Sequence, residues 1–322
     1  MIWISRLLGC LVVALACGAA IAAGPQDARV SIAFVGDVML ADGPGKTISH
    51  GQDPLRYIAP LLNQADLRVA NLECVVATVG EAQSGKPWTF RAHPRVLDML
   101  RKHIDVVDLA NNHSGDFGPD AFAQMLGLLK QKNIAYFGGG YDLAEAHRPL
   151  IVERNGLRIA LLGYNEFFPR SFEANENKPG IAWSEDEQVV YDVRVARQQY
   201  HADLVVAMMH WGWEHEPSAS DRQRQLARIL IDAGADAVVG SHPHVVQNIE
   251  RYRGKPIIYS LGNFVFDGFN TVPTTTGWLL QMDFDRSGAS GWRIFEVRLD
   301  RQGTPRPIAD RPIPPGESSA PN

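Results

Sequence analysis

The sequence is short of cysteine and of positive charge, and it has neither a long basic run nor an internal repeat. Its three cysteines are Cys10, Cys17 and Cys74. The first two fall in an apolar N-terminal stretch, so Cys74 stands alone in the rest of the chain, with no partner for an internal disulfide. Stability therefore has to come from a packed core. A chain of 322 residues, 45% hydrophobic and 21% charged, is enough to build one. The formal net charge is -5 and the pI is near 6.1. That is not the electrostatic footprint of a protein that binds nucleic acid or an acidic membrane.

The apolar N-terminal stretch is itself informative. Arg6 gives a positive start, Leu7 to Ala20 an apolar middle, and Ala20-Ile21-Ala22 an A-x-A cleavage pattern, with Ile21-Ala22-Ala23 one residue on. Residues 1–22 read as a secretory signal peptide, which makes the protein exported, to the periplasm or to the medium. The stretch is short and rich in Ala and Gly for a membrane span. An uncleaved N-terminal anchor and a lipoprotein signal ending at Cys17 are the alternatives.

Beyond it, short Val/Ile/Leu runs alternate with amphipathic stretches, the pattern of an α/β fold whose strands are covered on both faces. Strands are expected at Val30–Val35, Arg68–Leu72, Val106–Ala110, Leu157–Gly163, Leu204–Met209, Ala237–Gly240 and Pro256–Leu261, then a hairpin of Trp278–Phe284 and Arg293–Leu299. Helices are expected at Leu55–Asn63, Val96–His103, Asp120–Lys132, Val189–Tyr200 and Arg222–Asp232. Ser184 with Glu187 and Ser220 with Gln223 form capping-box patterns ahead of the last two. No linker interrupts the middle, so residues 23–300 read as one domain. The Pro-rich tail from Arg301, with Pro305, Pro307, Pro312, Pro314 and Pro315 among its residues, reads as disordered.

Several apolar runs end on groups that can bind metal: Gly36-Asp37, Asn71-Leu72-Glu73, Asn111-Asn112-His113, His210-Trp211-Gly212, Gly240-Ser241-His242-Pro243-His244 and Gly262-Asn263. A core has no use for carboxylate, amide and imidazole at one strand end after another. A divalent cation does, because it draws oxygen and nitrogen ligands from several loops. A lone H-x-H such as His242-Pro243-His244 is a weak signal and gains weight only with the other segments. Asp37 and Glu73 would supply the negative charge that neutral imidazoles lack. Cys74 reads as a small buried residue rather than a ligand, since neighbours in an extended segment point opposite ways.

The stretches FVGDVML (34–40), ANLE (70–73), FRAHP (90–94), DLANNHSGDFG (108–118), HWGWE (210–214), GSHPHVVQ (240–247) and YSLGNFVFD (259–267) resemble those of the CapA poly-γ-glutamate capsule biosynthesis family. That family belongs to the calcineurin-like metallophosphoesterase superfamily. The resemblance implies a four-layer α/β/β/α sandwich with one or two divalent ions, Mn, Fe or Zn, at the loop edge of its sheets. It implies Asp37, Glu73, Asn112, His210, His242 and His244 as ligands and His113 as a catalytic acid or phosphate contact. Two departures stand out. Met39 occupies the place of a usual histidine ligand, and Glu73 that of a bridging aspartate. Glu73, Asn112, His210 and His242 are thus expected to furnish one ion well, and Asp37, Glu73 and His244 a second less well.

Two functions follow from the resemblance. One is a metal-dependent hydrolase of a phosphate ester or of a linkage in an anionic envelope polymer. The other is a non-hydrolytic component that binds such a polymer, alongside membrane proteins of a capsule synthesis complex. Arg91, Trp211, Trp213, Glu214 and Asn263 are candidate substrate contacts; for Arg91 a surface salt bridge, and for either tryptophan core packing, is the competing role.

Overall fold

The computed structural model describes residues 28–309 and Pro312, except Pro169. The stretch read as a signal peptide and most of the Pro-rich tail lie outside the described residues. Two sheets face each other. In the eight-stranded first sheet, Pro305–Pro307, Gly288–Leu299, Thr276–Asp285, Arg29–Val38, Leu67–Leu72, Val106–Asp108 and Ala135–Phe137 lie in that order, and Asn263–Val265 pairs with the end of Arg29–Val38. The six-stranded second sheet runs Ile249–Tyr252, Lys255–Ile258, Ala237–Ser241, Leu204–His210, Leu157–Asn165, Leu150–Arg154.

Side-chain alternation along the strands builds the layers. Val30, Ile32 and Phe34 of the first sheet share an apolar seam with Leu157, Ile159 and Leu161 of the second. Ala33 and Val35, pointing the opposite way, pack with Leu97, Leu100, Phe122 and Leu126 from helices Val96–His103 and Gly118–Gln131. On the far side, Ala160, Val205 and Val238 pack with Val189, Val193, Leu226 and Leu230 from helices Asp186–Gln198 and Asp221–Ala233. Helix, sheet, sheet, helix is the four-layer sandwich expected. Among the described residues no helix is long and apolar enough to cross a membrane.

The caps divide. Ser220 accepts the Gln223 N–H and Gln223 Oε1 accepts the Ser220 N–H, a complete capping box. The Ser184–Glu187 expectation is corrected: the helix begins after Glu185 without a side-chain cap, because the Ser184 hydroxyl is committed to the Glu166 carboxylate. The Leu55–Asn63 expectation shrinks to Ala59–Leu62. The tail expectation is also corrected at its start. Pro305–Pro307 forms an edge strand against Val297–Leu299. An edge tolerates proline because one side of that strand needs no N–H donor.

Parallel register carries polar residues to one edge. Asp37, Asn71 and Asp108 lie side by side across three strands of the first sheet. Asn165, His210 and Ser241 do so across three strands of the second. At Gly36 the backbone runs so close to Gly262 that an added Cβ would stand 1.9 Å from its carbonyl oxygen. Asp108 is buried, its Oδ1 accepts the Ala110 N–H at 2.9 Å, and its Oδ2 has no partner among the described residues. Burial pushes this carboxyl well above the usual carboxylate range.

Gly36→Ala is expected to lower the unfolding free energy by about 1–3 kcal/mol, read as an earlier denaturant midpoint; an unchanged midpoint would show that the strands can part. Asp108 gives a pH signature. Its folded pKa is raised, so it stabilises most at low pH. That stability is lost, at about 1.4 kcal/mol per pH unit, as pH climbs from the unfolded pKa towards the folded one. Asp108→Asn keeps the Oδ1 acceptor and removes the titration. Denaturant midpoints should therefore shift in favour of the variant between about pH 4.5 and pH 7, and parallel profiles would contradict a neutral Asp108.

Candidate metal centre

The two polar rows and the turns beyond them converge. Asp37 is the last residue but one of Arg29–Val38, Glu73 follows Leu67–Leu72, and Asn112 and His113 sit in the turn after Val106–Asp108. His210 ends its strand, and His242 and His244 form the turn after Ala237–Ser241. Asp37, Glu73, His210 and His242 are wholly buried, and His244 nearly so. His242 and His244 both have left-handed backbone, φ 96° and 57°. Strain of this kind, about 1–3 kcal/mol per residue, persists where the surroundings over-determine a functional turn.

Ligand-capable atoms fall into two sets that share Glu73: Glu73, His210 and His242, and Asp37, Glu73 and His244, each within 4.8 Å. His210 Nε2 lies 2.8 Å from Asn112 Oδ1, 3.1 Å from His242 Nδ1 and 3.9 Å from Glu73 Oε1. Ligand atoms about 2.1 Å from a common ion stand roughly 3–3.5 Å apart, so Asn112 completes the first set. In the second set His244 Nδ1 is 3.5 Å from Asp37 Oδ2 and its Nε2 is 3.8 Å from Glu73 Oε1.

The electrostatics call for a cation. Burial, and then the charge of Asp37, push Glu73 well above the usual carboxylate range. Glu73 Oε1 and His242 Nε2 are buried without a hydrogen-bond partner among the described residues. Burial and the neighbouring imidazoles push His210 and His242 well down, so both are neutral and keep a lone pair. For His244, burial pulls downward but its bond to Asp37 and that carboxylate's charge outweigh it, and the net shift is upward. Two carboxylates, three imidazoles and one amide oxygen suit a hard or borderline divalent ion, so the residues present fit such an ion in either set.

Met39 does not join them. It is packed in the core beneath the first sheet, its sulfur facing the Ala41 N–H at 3.1 Å. Asp42 and His50, the nearby polar residues, are exposed. Cys74 is buried with its Sγ accepting the Leu40 N–H, and burial pushes its thiol up to about 12. The second set therefore rests on three side chains.

The roles of four supporting residues, Asn71, Asn111, Asp116 and Lys86, escape a reading of the sequence. Asn71 Nδ2 lies 2.8 Å from Asp37 Oδ1, 3.4 Å from Glu73 Oε2 and 3.3 Å from His210 Nδ1. Asn111 holds Asn71 in turn, donating to its Oδ1 at 2.9 Å. Asp116 is buried and accepts from His113 Nδ1 at 2.7 Å, from the Phe90 N–H at 2.6 Å and from Lys86 Nζ at 2.5 Å. Lys86 also donates to the Asn112 carbonyl at 2.6 Å, tying the loop over the Asn112–His113 turn. Burial lowers the His113 pKa and Asp116 opposes it. The signal for Asp116 is its place three residues after His113 in one short turn.

Of the candidate substrate contacts, Asn263 is buried and accepts from His244 Nδ1 at 2.8 Å, so it orients that ring. Glu214 is exposed on the loop after His210, and its charge reaches Glu73 and His244. Two expectations are corrected. Trp211 is wholly buried and its Nε1 donates to the Tyr259 carbonyl, so it belongs to the core. Arg91 spends its guanidinium on the carbonyls of Val79 and Gly80 and lies over the Phe117 ring. Trp213 is 67% exposed, its ring 6.4 Å from Phe167.

Known proteins give this arrangement a context. Residues 31–268 match the family model described as bacterial capsule synthesis protein PGA_cap. The chain is 34% identical over 288 residues to the PGA biosynthesis protein CapA of Bacillus subtilis (strain 168), covering 88% of this chain and 75% of that protein. It is 28% identical over 291 residues to the capsule biosynthesis protein CapA of Bacillus anthracis, covering 88% and 70%. Among solved structures, the Haemophilus influenzae NAD nucleotidase is similar with a TM-score of 0.48 at 11% identity, over 87% of this chain and 60% of that one. The family match takes in every segment that brings a donor atom to the buried edge, and on that extent the chain belongs to the bacterial capsule synthesis protein family PGA_cap.

Proposed function

We propose that this protein is an exported, divalent-metal-dependent hydrolase that acts in the biosynthesis of a capsule or envelope polymer, poly-γ-glutamate in the first instance. The observation that carries the proposal is the buried carboxylate Glu73. It belongs to two donor sets at once and holds an oxygen with no partner among the described residues. The capsule role draws on the names of the Bacillus relatives, and the export on the N-terminal pattern.

Glu73, Asn112, His210 and His242 would hold one ion, and Asp37, Glu73 and His244 another. When bound, such ions polarise a phosphoryl or acyl oxygen and make water a better nucleophile at neutral pH. The chain's own groups do the rest. Asn263 fixes the ring of His244, and Asn71 holds Asp37 and Glu73 at their spacing. Asp116 keeps the proton on His113 Nδ1, which leaves Nε2 to face an incoming group. An anionic substrate acts on His113 in the same direction as Asp116, raising its pKa. His113 then gains a proton on binding and can hand it from Nε2 to the leaving oxygen.

A second reading has its own observation. Met39 lies in the core where a ligand would complete the second set, and a protein with one well-held ion would bind an anionic polymer without cleaving it.

Elemental analysis of protein purified without chelator separates the two. About two equivalents of divalent metal, falling to about one in Asp37→Ala, support the hydrolase. About one equivalent, indifferent to Asp37→Ala and lost in His210→Ala, supports the binding protein. No metal after soaking with manganese, iron or zinc sinks both. In the hydrolase, His113→Ala is expected to retain metal while turnover of an activated phosphate ester falls about 10²–10⁴-fold; full activity would remove His113 from the mechanism.

A further inference from the structure

The second donor set rests on three side chains, Asp37, Glu73 and His244, and one loop of the chain is fastened beside it. That loop, residues 211–217, follows His210 and meets the His242–His244 turn at two points. The His215 N–H donates to the Pro243 carbonyl at 2.8 Å. The Phe269 ring lies 5.0 Å from the His244 ring and 6.1 Å from that of His215, so the two imidazoles share one aromatic neighbour. Further on, Gln247 Nε2 donates to the Glu216 carbonyl at 2.8 Å. His215 has left-handed backbone, φ 66°. A non-glycine residue keeps that conformation where its surroundings over-determine the turn.

Glu214 immediately precedes this fastened residue. On its other side Trp213 faces Phe167, whose ring lies 3.9 Å from His242. Glu214 is exposed and makes no hydrogen bond or ion pair among the described residues. Its charge reaches Glu73 and His244, two of the three members of the second set. Carboxylates of neighbouring loops are already spent: Asp267 accepts the Gly43 N–H at 2.9 Å, and Asp116 holds His113 and Lys86. Glu214 is thus an unpaired anion beside two buried ones, with Glu73 Oε1 still lacking a partner. Repulsion among three carboxylates is relieved by a cation between them.

We propose that Glu214 is the fourth ligand of the second set, turning in when that set takes an ion and replacing the donor that Met39, packed in the core, withholds. The inference rests on the metal centre of the proposed function and adds the character of its second ion. With Glu214 the second set offers three carboxylates and one imidazole. The first offers one carboxylate, one amide and two imidazoles. Carboxylate oxygen suits manganese, whereas imidazole suits zinc and iron. The two sets therefore sort unlike ions, an imidazole-seeking one in the first and manganese in the second. Met39 marks a change in the kind of second ion rather than its loss.

The test is a manganese titration of the full chain, stripped of metal and reloaded with about one equivalent of zinc, with free manganese read from its electron paramagnetic resonance signal. The zinc-loaded protein is expected to take up about one equivalent of manganese. Glu214→Gln, at an exposed position, leaves the fold intact. It is expected to weaken manganese at least about tenfold, the loss that even an outer partner of a metal site causes, while zinc stays bound. Glu216→Gln removes the same charge from the same exposed loop and should change manganese affinity by less than about twofold. Manganese affinity unchanged in Glu214→Gln, or lowered equally in Glu216→Gln, overturns the role of Glu214 and leaves the hydrolase standing. Manganese weakened by Glu214→Gln alone, in a protein that hydrolyses no ester, keeps that role and overturns the hydrolase. A zinc-loaded protein that takes no manganese overturns the role of Glu214, and one that holds no zinc either overturns the metal centre itself.

Discussion

Two carboxylates, Asp37 and Glu73, stand wholly buried between the edges of two sheets, and the surrounding edge is organised by their charge. Like charges close together in a poor dielectric repel strongly, and burial alone disfavours each. The protein tolerates them by donating one amide, Asn71, to both, by turning His244 towards Asp37, and by leaving Glu73 Oε1 open. A cation is the remaining compensation. The surrounding imidazoles are arranged for that role, His210 and His242 being held neutral by burial.

The sandwich supplies the rigidity this needs. Asp37 and Asn71 are neighbours in register, as are His210 and Ser241, so a ladder of backbone hydrogen bonds fixes the height of Asp37 and His210, and the other ligands follow directly from the ends of paired strands. The apolar seam holds one sheet edge against the other. In the His242–His244 turn the chain adopts left-handed conformations at two non-glycine residues. Site and fold are thus the same construction viewed at different scales.

Much of this is legible in the sequence because strands buried on both faces are almost wholly apolar, so a polar residue at the end of one is conspicuous. Asp37, Glu73, His210 and the His242–His244 pair stand out for that reason, and the layers follow from the alternation of apolar runs with amphipathic stretches. The residues that connect them do not stand out. Asn71, inside an expected strand, and Asn111, which looks like an ordinary turn asparagine, show their role only when two strands are set in register. Asp116 and Lys86 are 30 positions apart, joined by a loop whose course the pattern does not fix. Trp211 misleads because its position beside His210 hides that it points into the opposite layer. The prolines at 305 and 307 read as breakers, but an edge strand has a vacant side where a missing N–H goes unnoticed.

Glu73 belongs to both donor sets, and this has a thermodynamic consequence. A carboxylate that leans towards one set has less charge to offer the other, while a cation in either set relieves the repulsion from Asp37 that burdens both. The two sets are therefore linked, and by reciprocity whatever factor the first ion imposes on the affinity of the second is returned in equal measure. Occupancy of the pair then responds to free metal as a joint quantity, with a steepness governed by one side chain.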